Sequence, residues 1–99
     1  MTTVRLLGPI DVVDEDGQAH APGSPLRRTI LALLAVEAGR VVDAERLLDM
    51  AWDGEPPDSG LRALRFHISK LRGEIPDGLI ETVGSGYRLQ AETLSLIHI

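Results

Sequence analysis

Residues 59–72, SGLRALRFHISKLR, limit more than any other stretch what this chain can become. Leu61, Leu64, Ile68 and Leu71 recur at i, i+3, i+7 and i+10, the spacing of one helix face that wants a core. At ~100° per residue, Arg62, Ala63, Phe66, Ser69 and Lys70 fall on the opposite side, with Arg65, His67 and Arg72 at the borders. Four residues of the stretch are Lys or Arg and none is Asp or Glu, although the whole chain carries a net charge of −5. A helix with an apolar seam and a purely cationic polar side wants an anionic partner, and the groove of a DNA duplex admits one helix. The segment reads as a recognition helix.

The rest of the chain must supply the core. At 99 residues there is room for one small domain, and with one Trp, one Tyr and one Phe its interior has to be built from Leu, Ile, Val and Ala. The absence of cysteine excludes a disulfide framework and a thiolate metal site, and is compatible with a reducing compartment. The longest apolar run, 30–36, is far too short to span a bilayer, and the first residues lack the basic region and cleavage site of a secretory signal. A cytoplasmic protein with no membrane partner is expected. An acidic net charge argues against a nucleic-acid ligand, but the charge is unevenly spread: residues 41–58 carry −5 and residues 59–73 carry +4.

Taken in order, residues 4–8 and 10–13 are short apolar runs, and the polar cluster 14–17 ends in Asp16-Gly17, a hairpin signal, with 18–21 returning. A small antiparallel sheet follows from this. Its acidic tip, residues 14–16, lacks the remaining ligands of a calcium loop and reads as a solvated turn. Ser24 and Pro25 mark the start of a helix over 25–38 that buries Leu26, Ile30, Leu31 and Leu34 and stops at Gly39. Arg27 and Arg28 stand in its first turn, unfavourably for the helix dipole, either to meet a phosphate or simply on a solvated face. Asp43 caps a second helix with Ala44, Leu47, Leu48 and Ala51 on one face, and Trp52 anchors its end in the core rather than offering a base-stacking platform. Asp53, Glu55 and Asp58 then line an acidic loop stiffened by Pro56-Pro57, better suited to contacting a protein than to acid–base chemistry. After the central helix, the runs 79–83 and 87–90 flank Gly84-Ser85-Gly86 as a β-hairpin. Three helices followed by a hairpin make an α+β winged helix-turn-helix, with residues 79–90 as the wing.

No catalytic site is expected. His20, His67 and His98 have no metal-ligand spacing, and no serine sits in a nucleophile context. No metal and no cofactor are implied.

The runs Leu47-Leu48 with Ala51-Trp52, then Leu64 with residues 67–72 (HISKLR), then residues 81–83 (ETV) with residues 86–89 (GYRL), resemble the OmpR/PhoB-type winged-helix DNA-binding domain. The opening 5–12 (RLLGPIDV) and the Pro56-Pro57 loop are similar specifically to the N-terminal domain of the AfsR/SARP regulators, the Streptomyces antibiotic regulatory proteins. The resemblance covers roughly residues 4–90. It implies that the third helix enters the major groove, that the wing reaches toward the minor groove, and that the loop with Asp53, Glu55 and Asp58 touches RNA polymerase. It places Lys70 at a position that contacts bases or phosphate, and Arg62, His67 and Arg72 at backbone-contacting positions. Phe66 occupies an apolar position that either meets a thymine methyl or tucks against the wing. Thr82 matches a phosphate-holding position at the wing base. The wing tip 83–85 carries no arginine, which leaves Arg88 as the nearby cation. With Arg65 and Ser69 from the polar side of the helix, these residues form the expected DNA-binding set.

Such modules bind repeats as dimers and belong to bacterial transcriptional activators. Phosphorelay control is a family association only, since these residues contain no receiver domain. Residues 94–99 (LSLIHI) have no role in a winged helix and resemble the translation of a transposon-end adaptor used in sequencing-library preparation. On that reading the domain ends at residue 93 and the natural protein continues, by family with a helical-repeat activation domain. The alternative is an apolar tail that packs as an extra strand. A rival reading of the whole chain is a protein-interaction winged helix without significant DNA affinity.

Overall fold

The structure, a computed structural model, describes residues 3–5, 10–14, 16–76, 78–90 and 93–95. The chain opens with β1 (Thr3–Arg5), β2 (Asp11–Val13) and β3 (Ala19–His20). These pair antiparallel, Thr3 opposite Val13 and Val12 opposite His20. The Asp16-Gly17 turn forms as expected: the Asp14 carboxylate accepts from the backbone N–H groups of Asp16 and Gln18, and its second oxygen lies 2.8 Å from His20 Nε2. Those bonds occupy the side chain and hold its pKa below the ordinary aspartate value.

Three helices form the body: α1 (Pro25–Val36), α2 (Ala44–Ala51) and α3 (Leu61–Glu74). Each is shifted or trimmed by up to two residues from its expected bounds. Ser24 holds the N-cap position of α1 without a side-chain cap bond, whereas Asp43 caps α2 by accepting from Glu45 N–H at 3.2 Å. The three apolar seams meet in one core of Ile30, Leu31, Leu34, Leu47, Leu64, Ile68 and Leu71, all essentially inaccessible. Burying each such side chain contributes about 1.5–3 kcal/mol, which is what draws three short amphipathic helices together. Leu26, Ala51, Leu61 and Trp52 close the margins as half-buried residues packed on this core.

The wing is larger than a hairpin. β5 (Ile80–Val83) and β6 (Gly86–Leu89) pair across the two-residue turn Gly84-Ser85, and β4 (Val41–Asp43) adds to the far side of β6. Val42 lies opposite Tyr87 and is buried beside it. Asp43 faces Gly86, where a Cβ would stand 2.5 Å from the Val42 carbonyl oxygen, so only glycine lets the strands approach. Ala44 N–H donates to the Ser85 carbonyl at 3.0 Å, fastening the start of α2 to the wing tip. The wing is therefore held by the start of α2.

β7 (Thr93–Ser95) runs parallel to β1, making a four-stranded sheet in the order β3-β2-β1-β7. The N-terminal sheet is antiparallel over its first three strands and mixed once this strand is added. A boundary at residue 93 falls inside β7, and residues 96–99 lie outside the described residues. Among the described residues no helix is long and apolar enough to cross a membrane.

Candidate nucleic-acid interface

α3 turns its seam inward and leaves Arg62, Arg65, Phe66, Ser69 and Lys70 exposed. The Arg62 and Arg65 side chains make no ion pair or hydrogen bond with another described residue, and Lys70 Nζ lies 5.6 Å over the Phe66 ring. Phe66 is 56% accessible, an unusual exposure for an aromatic side chain on a small domain. It stands outward on the exposed face of the helix and is not among the residues lining the cleft between α3 and the wing. No acidic residue occupies the first turn of α3, so nothing there offsets the partial positive charge of the helix start.

His67 sits at the border between this face and the core. Its ring is 5.7 Å from Trp52 at 59° and 5.3 Å from Phe66 in an edge-to-face contact. Nδ1 is buried and has no hydrogen-bond partner among the described residues. Burial, and secondarily the Arg27 charge, hold the imidazole pKa below its ordinary value, so the ring is neutral where an ordinary histidine begins to charge. As placed, it packs between aromatic rings instead of extending a cation.

The remaining expected residues belong to the wing's internal bonding. Arg72 donates from Nε and Nη2 to the Ile80 carbonyl at 3.2 and 3.1 Å, and from Nη2 to Thr82 Oγ1 at 2.8 Å. Its guanidinium also lies 6.0 Å from the Tyr87 ring. Arg72 and Thr82 are thus brought together, tying the last turns of α3 to β5. Arg88 pairs with Glu81 across the β5–β6 ladder, and Gln90 donates to the other Glu81 oxygen. The cation expected near the wing tip is already neutralised by its cross-strand partner.

Between α3 and the wing runs a cleft of about 430 Å³. Leu61, Leu64, Ile68 and Tyr87 line it, together with Arg65, Arg72, Thr82 and Ser85. In the loop that precedes α3, Asp53, Glu55 and Asp58 are all exposed. Asp53 adopts φ +53°, and Gly54 N–H donates back to the Asp49 carbonyl at 2.8 Å, so the loop folds tightly while its carboxylates face solvent.

Two residues absent from the expected set form a second bonded cluster at the end of α3. Arg27 of α1 meets Glu74, the last residue of α3, through Nε at 2.6 Å and Nη2 at 3.2 Å. Glu74 also accepts from Gly23 N–H at 2.9 Å. The Arg27 hydrogen bond, and then that from Gly23, lower the Glu74 pKa. Neither a phosphate nor open solvent is the partner of Arg27. The signal available in the sequence was a carboxylate at the C-terminal end of a cationic helix, where the dipole disfavours it unless a cation compensates.

Residues 18–89 match the family described as "Transcriptional regulatory protein, C terminal". The chain belongs to that family. Its members of the OmpR/PhoB type are winged-helix regulators, not enzymes, and the motifs at residues 64–72 and 81–89 fall inside the matched range. Among curated proteins it is 36% identical over 85 residues to the regulatory protein AfsR of Streptomyces coelicolor, covering 86% of this chain and 8% of AfsR. It is 31% identical over 98 residues to the transcriptional regulator RedD of the same organism, covering 90% of this chain and 27% of RedD. The chain therefore spans less than a third of either relative. Among solved structures, Mycobacterium tuberculosis EmbR in complex with a low-affinity phosphopeptide superposes with a TM-score of 0.74 at 28% identity, over 90% of this chain and 25% of that one. The Klebsiella pneumoniae RstA DNA-binding domain in complex with the RstA box superposes with a TM-score of 0.60 at 26% identity, over 88% of this chain and 96% of that one. The AfsR/SARP likeness read from the motifs agrees with these relatives.

Proposed function

We propose that this domain binds duplex DNA sequence-specifically in transcription regulation, with α3 in the major groove. One observation carries the reading. Arg27, Arg40, Arg46 and Arg88 each lie within ion-pair distance of a glutamate, whereas Arg62, Arg65 and Lys70, all on the outward face of α3, have no such described partner. Unpaired cations on one helix face offer phosphate neutralisation without first breaking an internal bond. Lys70 and Phe66 stand furthest into the groove, Lys70 for a base edge and Phe66 for a thymine methyl. Arg62 and Arg65 contact the sugar-phosphate strand, which crosses the cleft between α3 and the wing. Arg72 keeps its Nη1 hydrogens for that strand, beside Thr82. His67 and Ser69 border the contact, and Arg88 supports the wing from within.

Activation would use the exposed carboxylates Asp53, Glu55 and Asp58 as a surface for RNA polymerase, and binding as a homodimer would suit repeated half-sites. The likeness of the chain to named regulators supports the transcriptional context. A second reading, a winged helix that docks a protein, draws on the net charge of −5 and on the neutralised wing. Salt separates the two. Each phosphate contact adds about 0.9 to the slope of log affinity against log salt, and apolar docking adds almost none. Fluorescence anisotropy on a randomised duplex pool at two salt concentrations, with the Arg62→Ala/Arg65→Ala/Lys70→Ala variant alongside, decides it. Salt-sensitive binding lost in the variant supports DNA recognition by α3; equal signals from both proteins reject it.

A further inference from the structure

Lys70 and Glu74 are four residues apart on α3, the spacing at which side chains of opposite charge meet along a helix. Left to themselves they would pair, and the lysine offered to the groove would be neutralised by its own helix. The structure shows another arrangement. Glu74 turns to α1, where Arg27 takes both carboxylate oxygens and Gly23 N–H takes one of them. Lys70 Nζ lies instead over the Phe66 ring, one turn back toward the helix start. The approach on the Glu74 side is close enough that a Cβ on Gly23 would stand 3.0 Å from Glu74 Oε2 and 3.7 Å from the Arg27 guanidinium. The Lys70 charge still acts on the Glu74 carboxyl, as the weakest of the influences that lower its pKa. Four positions back on the same helix face, Lys70 is within reach of the carboxylate once the clamp is released.

We propose that Arg27 is a positioning residue for DNA recognition: by holding Glu74 against α1, it withholds that carboxylate from Lys70 and keeps the lysine available to the duplex. This rests on the DNA-binding reading of α3. Arg27 itself touches no nucleic acid, since its guanidinium is committed to Glu74. Its removal should therefore act through Lys70, and removing the Glu74 charge as well should reverse the effect even though the clamp is then wholly lost.

The test compares wild type, Arg27→Ala, Arg27→Ala/Glu74→Gln and Gly23→Ala. The first readout is anisotropy on a duplex selected from the randomised pool. Arg27→Ala is expected to weaken binding about fivefold, the scale of one exposed ion pair. The double variant should return to within about twofold of wild type, and Gly23→Ala, which crowds Glu74 Oε2, should give a smaller loss in the same direction. Unchanged affinity in Arg27→Ala overturns the proposal. So does a loss that Glu74→Gln fails to recover, which is what a purely structural strut would give. The second readout needs no DNA: hydrogen exchange of the Lys70 ammonium, followed by nitrogen-15 NMR, should slow in Arg27→Ala and recover in the double variant. If wild type binds no duplex, the reading of α3 fails at that point, and the ammonium exchange still decides whether Arg27 keeps Glu74 from Lys70.

Discussion

α3 and the wing both carry arginine, but they treat it differently. On α3, Arg62 and Arg65 reach solvent with no described partner, and the helix supplies no acid near them. In the wing, Arg88 is met by Glu81, and at the C-terminal end of α3, where the helix meets the wing, Arg72 is drawn onto the Ile80 carbonyl and Thr82. The cause lies in geometry. A strand residue has a cross-strand neighbour directly opposite, here Glu81 against Arg88, whereas the outer face of a helix meets only residues three and four positions away. Those positions on α3 are mostly cationic, small or apolar. Charge available to a ligand is thus decided by partners as well as by the number of basic residues.

The largest effect tests whether the α3 face depends on the seam beneath it. Leu64 is fully buried and also lines the cleft, so Leu64→Ala should destabilise the domain by about 2–5 kcal/mol in chemical denaturation. A loss below about 1 kcal/mol would mean that the face is not anchored as described. Next in size, Lys70→Ala should cost ~1–3 kcal/mol on a selected duplex and relax the preference at one base pair. A uniform weakening across sequences would reassign Lys70 to phosphate. Arg88→Ala should change duplex affinity by less than about twofold, because its charge is already matched by Glu81. A large loss there would erase the contrast between helix and wing.

The smallest effect concerns pH. The folded protein holds His67 below the ordinary imidazole range, so its neutral form is the one the fold accommodates. On acidification the unfolded chain takes up that proton first. The His67 contribution is complete above the ordinary imidazole pKa and is lost as pH falls through the lowered one. Thermal melts of His67→Gln against wild type between about pH 7 and pH 5 should show a flatter decline in the variant. Parallel declines would show that the His67 ring does not control this limb.

The helices were legible because each seam is local: Leu61, Leu64, Ile68 and Leu71 announce their shared side within a dozen residues. The α3 face was legible for a related reason, since a run without acids leaves its cations unpaired from within. What could not be read depends on distance in sequence. β4 has three residues, and its pairing is with β6, so nothing local to residues 41–43 announces a strand. The Arg27–Glu74 clamp joins positions 47 apart, and the Arg72 bonds depend on where the wing settles beside α3. Such pairings follow from packing, which periodicity cannot specify.

The most direct test of the central claim sets helix against wing in one salt series. Duplex affinity is measured from low to moderate salt for wild type, Arg62→Ala/Arg65→Ala/Lys70→Ala and Arg88→Ala. The log–log slope is predicted to fall by about 1.8 in the helix variant, one phosphate contact each for Arg62 and Arg65, and to stay at the wild-type value in the wing variant. A slope that falls in Arg88→Ala while the helix variant keeps the wild-type value would contradict the assignment of DNA recognition to α3.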